Sequence, residues 1–253
     1  MRDNKNRNLK LVVTNMHSYY LKNKKRYAKE IDKLLSFGKV EVEELFKGDF
    51  SVIVNQVKNT FESEILPKIP YVGGSQNAND TNNLVGCCEY AALFLVGRAY
   101  NLSDEQVGEL LTKLEERHFK PLPDILQKAI RKLMKRKFVQ KMLSNIAENS
   151  LKFSKEYPYA WEYKYEEPDN EYSHKYCCTR CGACMFLTEI GLGDAMPYIC
   201  NIDFVAFSAY GLPYYRNEVI GYGDKQCANL FKIDGNVITD NWPPHGIRND
   251  GLK

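Results

Sequence analysis

The chain lacks any apolar run long enough to span a bilayer. The longest, Ala91 to Gly97, falls far short of the ~18–20 residues such a helix needs, and it reads as a buried helical stretch. An excess of charge of one sign is missing too. Thirty-five Lys and Arg against 32 Asp and Glu leave a net charge of +3. Bulk electrostatics therefore give no reason to expect nucleic acid or a membrane as partner, and a small-molecule substrate is the expected one. Histidine is scarce: of four scattered residues only His174 lies near a cysteine-rich stretch. The polar start, residues 1–8, holds no apolar h-region, which argues against a secretory signal and for a cytoplasmic protein. No internal repeat or low-complexity segment is visible.

What is present is a chain of 253 residues, 44% apolar, enough to bury a real core. The first 155 residues carry helical periodicity. Residues 24–35 repeat apolar positions three and four apart, and in 49–66 Phe50, Val54, Val57, Phe61 and Ile65 share a face. Pro67 and Pro70 stop that helix, because each disfavours helical geometry in the residue before it. A loop of turn-formers from Tyr71 follows, and Asp80 or Thr81 is placed to cap a helix over 82–100. Ser103 and Gln106 form a capping box for 104–117. Beyond Pro121 and Pro123 a basic helix is expected from Asp124 to about Phe153; its charges read as a solvated face or, less directly, as a scaffold surface.

After Tyr157 the texture alternates. Residues 161–166, 172–178, 212–220 and 226–233 read as strands, with helices expected over 183–190 and 197–210. The fold class is therefore α+β: a helical region, residues 1–155, packed on a C-terminal antiparallel sheet with two short helices, residues 156–253, the whole forming one compact domain.

Eight cysteines in a protein without export point to reduced thiols that are catalytic, metal-binding or simply buried. Cys177-x3-Cys181-x2-Cys184 has radical-SAM spacing, but only 69 residues follow Cys184, too few for the barrel that chemistry uses. Cys178-x2-Cys181-x2-Cys184 has ferredoxin spacing, but no fourth cysteine followed by proline comes after Cys184 at the required distance. Cys181, Cys184, Cys200 and Cys227 could hold zinc, although two of the four lack a close partner in sequence. Of Cys87 and Cys88, about 100° apart on a helix, at least one should be a core residue. Pro197 suits a first helical position, which would put Cys200 in the first turn of helix 197–210 with a lowered pKa. Asp203, three residues on, would share its face and handle protons.

In order and spacing the chain resembles the L-2-amino-thiazoline-4-carboxylic acid hydrolase-like proteins over roughly residues 60–232. The resemblance rests on Leu66-Pro67-Lys68-Ile69-Pro70-Tyr71-Val72-Gly73-Gly74, the asparagine-rich approach to helix 82–100, Leu102 to Leu110, and Glu156-Tyr157-Pro158. It continues through Thr179-Arg180-Cys181, Cys200-x2-Asp203-Phe204, Arg216, and Gly223-Asp224-x2-Cys227. Three departures stand out. Ala228-Asn229-Leu230 replace the usual Asp-Phe-Arg after the last cysteine, Gly182 replaces a proline, and Cys177, Cys178 and Cys184 are additional.

The resemblance implies a hydrolase that adds water to the amidine-like C2 of a thiazoline and expels the ring sulfur, giving N-carbamoyl-L-cysteine without a cofactor. Such a reaction acts on a C–N or C–S bond. It needs a nucleophile, a proton donor and a cation for the substrate carboxylate, types supplied by Cys200, Asp203 and either Arg216 or Arg180. Cys181 beside Arg180 is the competing nucleophile, and a non-catalytic small-molecule- or metal-binding module is the alternative function. Cys181, Cys200 and Cys227 should converge on one pocket. The loop from Tyr71 to Asn83 should line its mouth, with Gly73 and Gly74 approaching a ligand, Asn82 and Asn83 close by, and His174 within reach.

Overall fold

The structure, a computed structural model, describes residues 2–237, with side chains from Ser18 onward. The polar start at residues 1–8 lies outside the residues with described side chains. Seven helices come first: α1 (Arg2–Ser36), α2 (Lys39–Phe46), α3 (Phe50–Thr60), α4 (Ala78–Ala99), α5 (Asp104–His118), α6 (Asp124–Met134) and α7 (Lys137–Glu156). The strands β1 (Glu162–Glu166) and β2 (His174–Arg180) follow, then α8 (Gly182–Glu189), α9 (Met196–Cys200) and α10 (Ile202–Ala209). The short β3 (Tyr214–Tyr215) and β4 (Cys227–Phe231) complete a four-stranded antiparallel sheet of order β1-β2-β4-β3. The α+β reading holds. Among the described residues no helix is long and apolar enough to cross a membrane.

Local chemistry explains most helix starts. The Asp49 carboxylate accepts from the amides of Ser51 and Val52 and opens α3, and the Ser103–Gln106 capping box opens α5 as its sequence requires. α4 differs from expectation: it starts at Ala78, four residues before Asn82, and Asp80 does not cap it. The buried Asp80 carboxylate instead accepts from the Trp161 amide (3.0 Å) and the Asn77 side chain (2.9 Å), tying α4 to the edge of β1.

Two expected helices are broken, both by tertiary partners. The basic helix divides at Lys135 and Arg136, where Arg136 is extended. On its last turns Arg131 donates to the carbonyls of Gly211 (2.6 Å) and Gly235 (3.2 Å), and His174 Nε2 lies 2.8 Å from the Met134 carbonyl. The end of α6 is thus pinned to the sheet, and the chain must turn before α7 can cross β1. Helix 197–210 divides at Asn201, because the Cys200 carbonyl accepts from Arg216 (3.0 Å) while the Phe204 amide bonds Asn201. The strand expected over 212–220 shrinks to Tyr214–Tyr215, and the chain then passes through a 3-10 turn at Ile220–Tyr222.

One buried cluster runs from Tyr20 and Phe61 through Phe94 and Leu111 to Cys178, Cys181 and Cys227, so the helical half and the sheet share an interior. Among the described residues, Glu89 Oε1, on α4, is buried without a hydrogen-bond partner. Burial first, and then the neighbouring Glu30, push its carboxyl up to about 9, so it is protonated at neutral pH and donates to Glu30. The folded carboxyl keeps its proton up to about pH 9, whereas the ordinary value is 4.5. Stability should therefore fall as pH rises through that window. Glu89→Gln, neutral at every pH, should flatten the fall and gain on wild type by about 1–3 kcal/mol at the alkaline end. Thermal unfolding followed from pH 5 to pH 9 tests this, and parallel curves for the two proteins would remove Glu89 as the cause.

Candidate active site

A cavity of about 440 Å³ opens where α4, the sheet and the short helices meet. α4 contributes Asn82, Asn83, Gly86, Cys87 and Tyr90, positions three and four apart that share one face. The strands add Tyr163, Tyr176, Cys178, Cys227 and Asn229 from one side of the sheet. The starts of α8 and α10, the end of α9, and Arg216 close the remainder with Cys181, Cys200 and Asp203.

The three cysteines of the sequence pattern thus share one cavity, together with Asp203, Arg216, Asn82 and Asn83. Four other candidates do not reach it. Arg180 pairs with Glu162 (3.2 Å) and donates to the carbonyls of Ala160 (3.2 Å) and Ser154 (2.8 Å), stitching β2 to the end of α7. His174 is fully buried against Met134, and burial lowers its pKa. Gly73 and Gly74 have positive φ, 111° and 58°, and approach protein groups, not an open space. A Cβ would meet Asn77 Cβ at 2.7 Å from Gly73 and the Tyr71 hydroxyl at 2.7 Å from Gly74. Their lack of a Cβ serves the turn.

The helix-terminus argument transfers from one thiol to another. Cys200 is the last residue of α9, not the first turn of a long helix. Cys181 occupies the N-cap of α8, and its Sγ accepts from the Cys184 amide at 3.4 Å. Gly182 permits this sharp entry: a Cβ there would lie 1.8 Å from the Tyr159 carbonyl.

Five sulfurs form a chain: Cys227, Cys178, Cys181, Cys184, Cys200. The single proton of Cys178 is donated to the Arg180 carbonyl (3.2 Å), with the Cys181 and Cys227 sulfurs as neighbouring acceptors. Hydrogen bonds from the Cys178 and Cys184 thiols, and then from the Cys184 and Ala183 amides, hold Cys181 well below the usual thiol range. Cys227 is lowered by the Cys178 hydrogen bond, the Arg216 charge and the Ile220 amide at 3.3 Å. The donors Cys178 and Cys184 are raised correspondingly, and burial raises Cys87. Among the described residues no group of three or more His, Cys, Asp or Glu side chains is arranged to hold a metal ion.

Across from the thiols, Arg216 is 5% exposed and carries the local positive charge. Its Nε and Nη2 donate to Asn229 Oδ1 (3.1 and 2.8 Å), its Nη1 to the Cys200 carbonyl, and its Nη2 to Asp203. The Asp203 side chain is 54% exposed, at the mouth. Asn229 is fixed in turn by its own donation to the Tyr176 carbonyl (2.9 Å) and by the Tyr214 hydroxyl (2.5 Å).

Sequence reasoning missed Asn229, Cys178, Tyr176, Tyr163, Tyr90 and Cys87 as cavity residues. Strand alternation held the signal for two of them, since Asn229 lies two positions from Cys227 and Tyr176 two from Cys178.

The model of the L-2-amino-thiazoline-4-carboxylic acid hydrolase family matches residues 89–231, more than half of the chain, and the protein belongs to that family. Its function is accordingly hydrolase-like. No curated protein and no solved structure matches the chain. The match takes in every strand and thiol of the cavity except Cys87.

The Arg216–Asn229 contact is open to test. Asn229→Leu keeps roughly the volume but leaves a buried guanidinium two hydrogen bonds short, and should cost about 2–4 kcal/mol. Denaturant unfolding measures it; a change below about 0.5 kcal/mol would mean that Asp203 and the Cys200 carbonyl suffice.

Proposed function

We propose that the protein hydrolyses a small cyclic amidine of the 2-amino-thiazoline-4-carboxylate type, with Cys181 as nucleophile. The observation that carries this reading is the position of Cys181: at the N-cap of α8, on the cavity wall, with two amides and two thiols directed at its sulfur. A thiolate is the reactive form, and those donors favour it.

The chemistry balances with the groups present. The Cys181 thiolate adds to C2, the C2–S1 bond breaks, and the ring sulfur leaves as a thiolate that takes the proton of Cys178. The resulting S-linked isothiourea is attacked at C2 by water. One proton of that water goes to the ring-derived nitrogen and the other returns to Cys178, and the Cys181 thiolate departs. The product is the N-carbamoyl thiol. Cys178 keeps its proton on the cavity wall beside Cys181, which suits it to the role of proton donor. Arg216 offers the substrate carboxylate a cation, and the exposed Asp203 is the ligand it would displace. Cys200 in this reading holds Arg216 through its carbonyl and shapes the pocket through its sulfur, which packs on Gly221.

Two measurements separate Cys181 from Cys200. Limiting iodoacetamide across a pH series should label Cys181 first, with a midpoint below the ~8.5 of a free thiol. Cys181→Ser should lower turnover of 2-amino-thiazoline-4-carboxylate by about 10³-fold or more, while Cys200→Ser should stay within about tenfold of wild type. The reverse pattern would move the nucleophile to Cys200 and leave the substrate class standing.

A further inference from the structure

We propose that Cys178 and Cys227 form a reversible disulfide when a hydroperoxide enters the cavity, making the sheet itself a modification site. The two residues are direct cross-strand partners in the antiparallel pairing of β2 with β4. Opposed residues in such a ladder have Cα atoms about 4.5–5.5 Å apart, inside the range of about 4.4–6.8 Å that a disulfide spans. Both side chains line the cavity, and the Cys178 thiol, which donates to the Arg180 carbonyl (3.2 Å), has the Cys227 sulfur as a neighbour. Closing the bond therefore asks for no rearrangement of the backbone.

The surroundings select this pair over its neighbours. Cys177, adjacent to Cys178, opposes Ala228 and packs with it and Leu230 on the other face of the sheet. Cys181 also contacts Cys178, but it is fixed as the N-cap of α8, and bridging it would pull its sulfur from the Cys184 amide. Cys227 has the Arg216 guanidinium and the Ile220 amide to stabilise its thiolate, the form that peroxides attack.

The steps balance. The Cys227 thiolate attacks one peroxide oxygen, the O–O bond breaks, and the departing alkoxide or hydroxide takes a proton from water. The sulfenic acid so formed is attacked by the Cys178 sulfur. The S–O bond breaks, the S–S bond forms, and the Cys178 proton leaves with the hydroxyl as water. Two thiols lose two electrons and the peroxide gains them. The bridge would deprive Cys181 of its Cys178 donor, so oxidation should also reduce thiol reactivity at Cys181.

Peptide mapping tests the pairing without reference to turnover, so it stands or falls apart from the choice of nucleophile. The protein is treated with stoichiometric hydrogen peroxide, blocked with N-ethylmaleimide and cut with trypsin. Cleavage after Lys175, Arg180, Lys225 and Lys232 places Cys178 in peptide 176–180, Cys227 in 226–232, and Cys181, Cys184 and Cys200 in 181–216. The expected result is 176–180 joined to 226–232 and released by dithiothreitol. Cys177→Ser should keep the link. Cys178→Ser should abolish it and leave a sulfenic acid at Cys227 that dimedone traps. A bridge from 176–180 to 181–216, or a Cys227 that remains fully alkylatable after peroxide, overturns the proposal. Should Cys178→Ser fail to fold, the map of Cys177→Ser decides, since its peptide 176–180 then carries Cys178 as its one cysteine.

Discussion

A buried guanidinium organises this protein. Arg216 is enclosed in the interior, where a cation is costly unless its donors are met. They are met by Asn229 of β4, by the backbone at the end of α9 and by Asp203 of α10, while the Phe204 and Tyr214 rings flank it at 5.7 and 5.2 Å. Each partner constrains a different element. Asn229 is locked to β2 through the Tyr176 carbonyl, and the α9–α10 joint is held where the Cys200 carbonyl turns toward the cation. Sheet and short helices are thus fixed relative to one another by a single charge, and the cavity is the space this arrangement leaves.

The same charge orders the thiols. A row of sulfurs in contact cannot all be ionised, nor can all of them donate. Cys227 lies toward Arg216 and Cys181 toward the amides of α8, so Cys178 and Cys184, on either side of Cys181, keep their protons. The alternation of lowered and raised thiols follows from where positive potential enters the row, one end by a guanidinium and the middle by a helix terminus.

How much of this was legible depends on whether the information was local. The Ser103–Gln106 capping box, the Asp49 region and the switch from helical to alternating periodicity near Tyr157 are short-range features, and their elements exist as the sequence implies. The convergence of Cys181, Cys200 and Cys227 was legible as a family-like spacing. The joint at Asn201 was not, since Asn201 keeps helical backbone angles and the interruption comes from Arg216, 16 residues away from Cys200. The break at Arg136 likewise comes from partners around Met134 that the local sequence does not contain. Arg180 and Arg216 are indistinguishable by type. Only the direction of the chain at the end of β2, toward Ala160 and Ser154, makes one a structural strut.

β4 shows why residue-by-residue placement matters more than the tally of family matches. The resemblance implies Asp-Phe-Arg after the last cysteine, where this chain has Ala228-Asn229-Leu230, and on that footing an acid that could be catalytic is lost. Alternation places that position elsewhere. Cys227 and Asn229 face the cavity, whereas Ala228 and Leu230 pack with Cys177 on the opposite side of the sheet. The missing carboxylate and the missing arginine both fall on that far face, beside the additional Cys177, where small and apolar groups now pack together. The departure that does alter the cavity is asparagine for phenylalanine at 229. It replaces an apolar ring with an oxygen that receives two bonds from Arg216, and so it sets where the cation of the site can point.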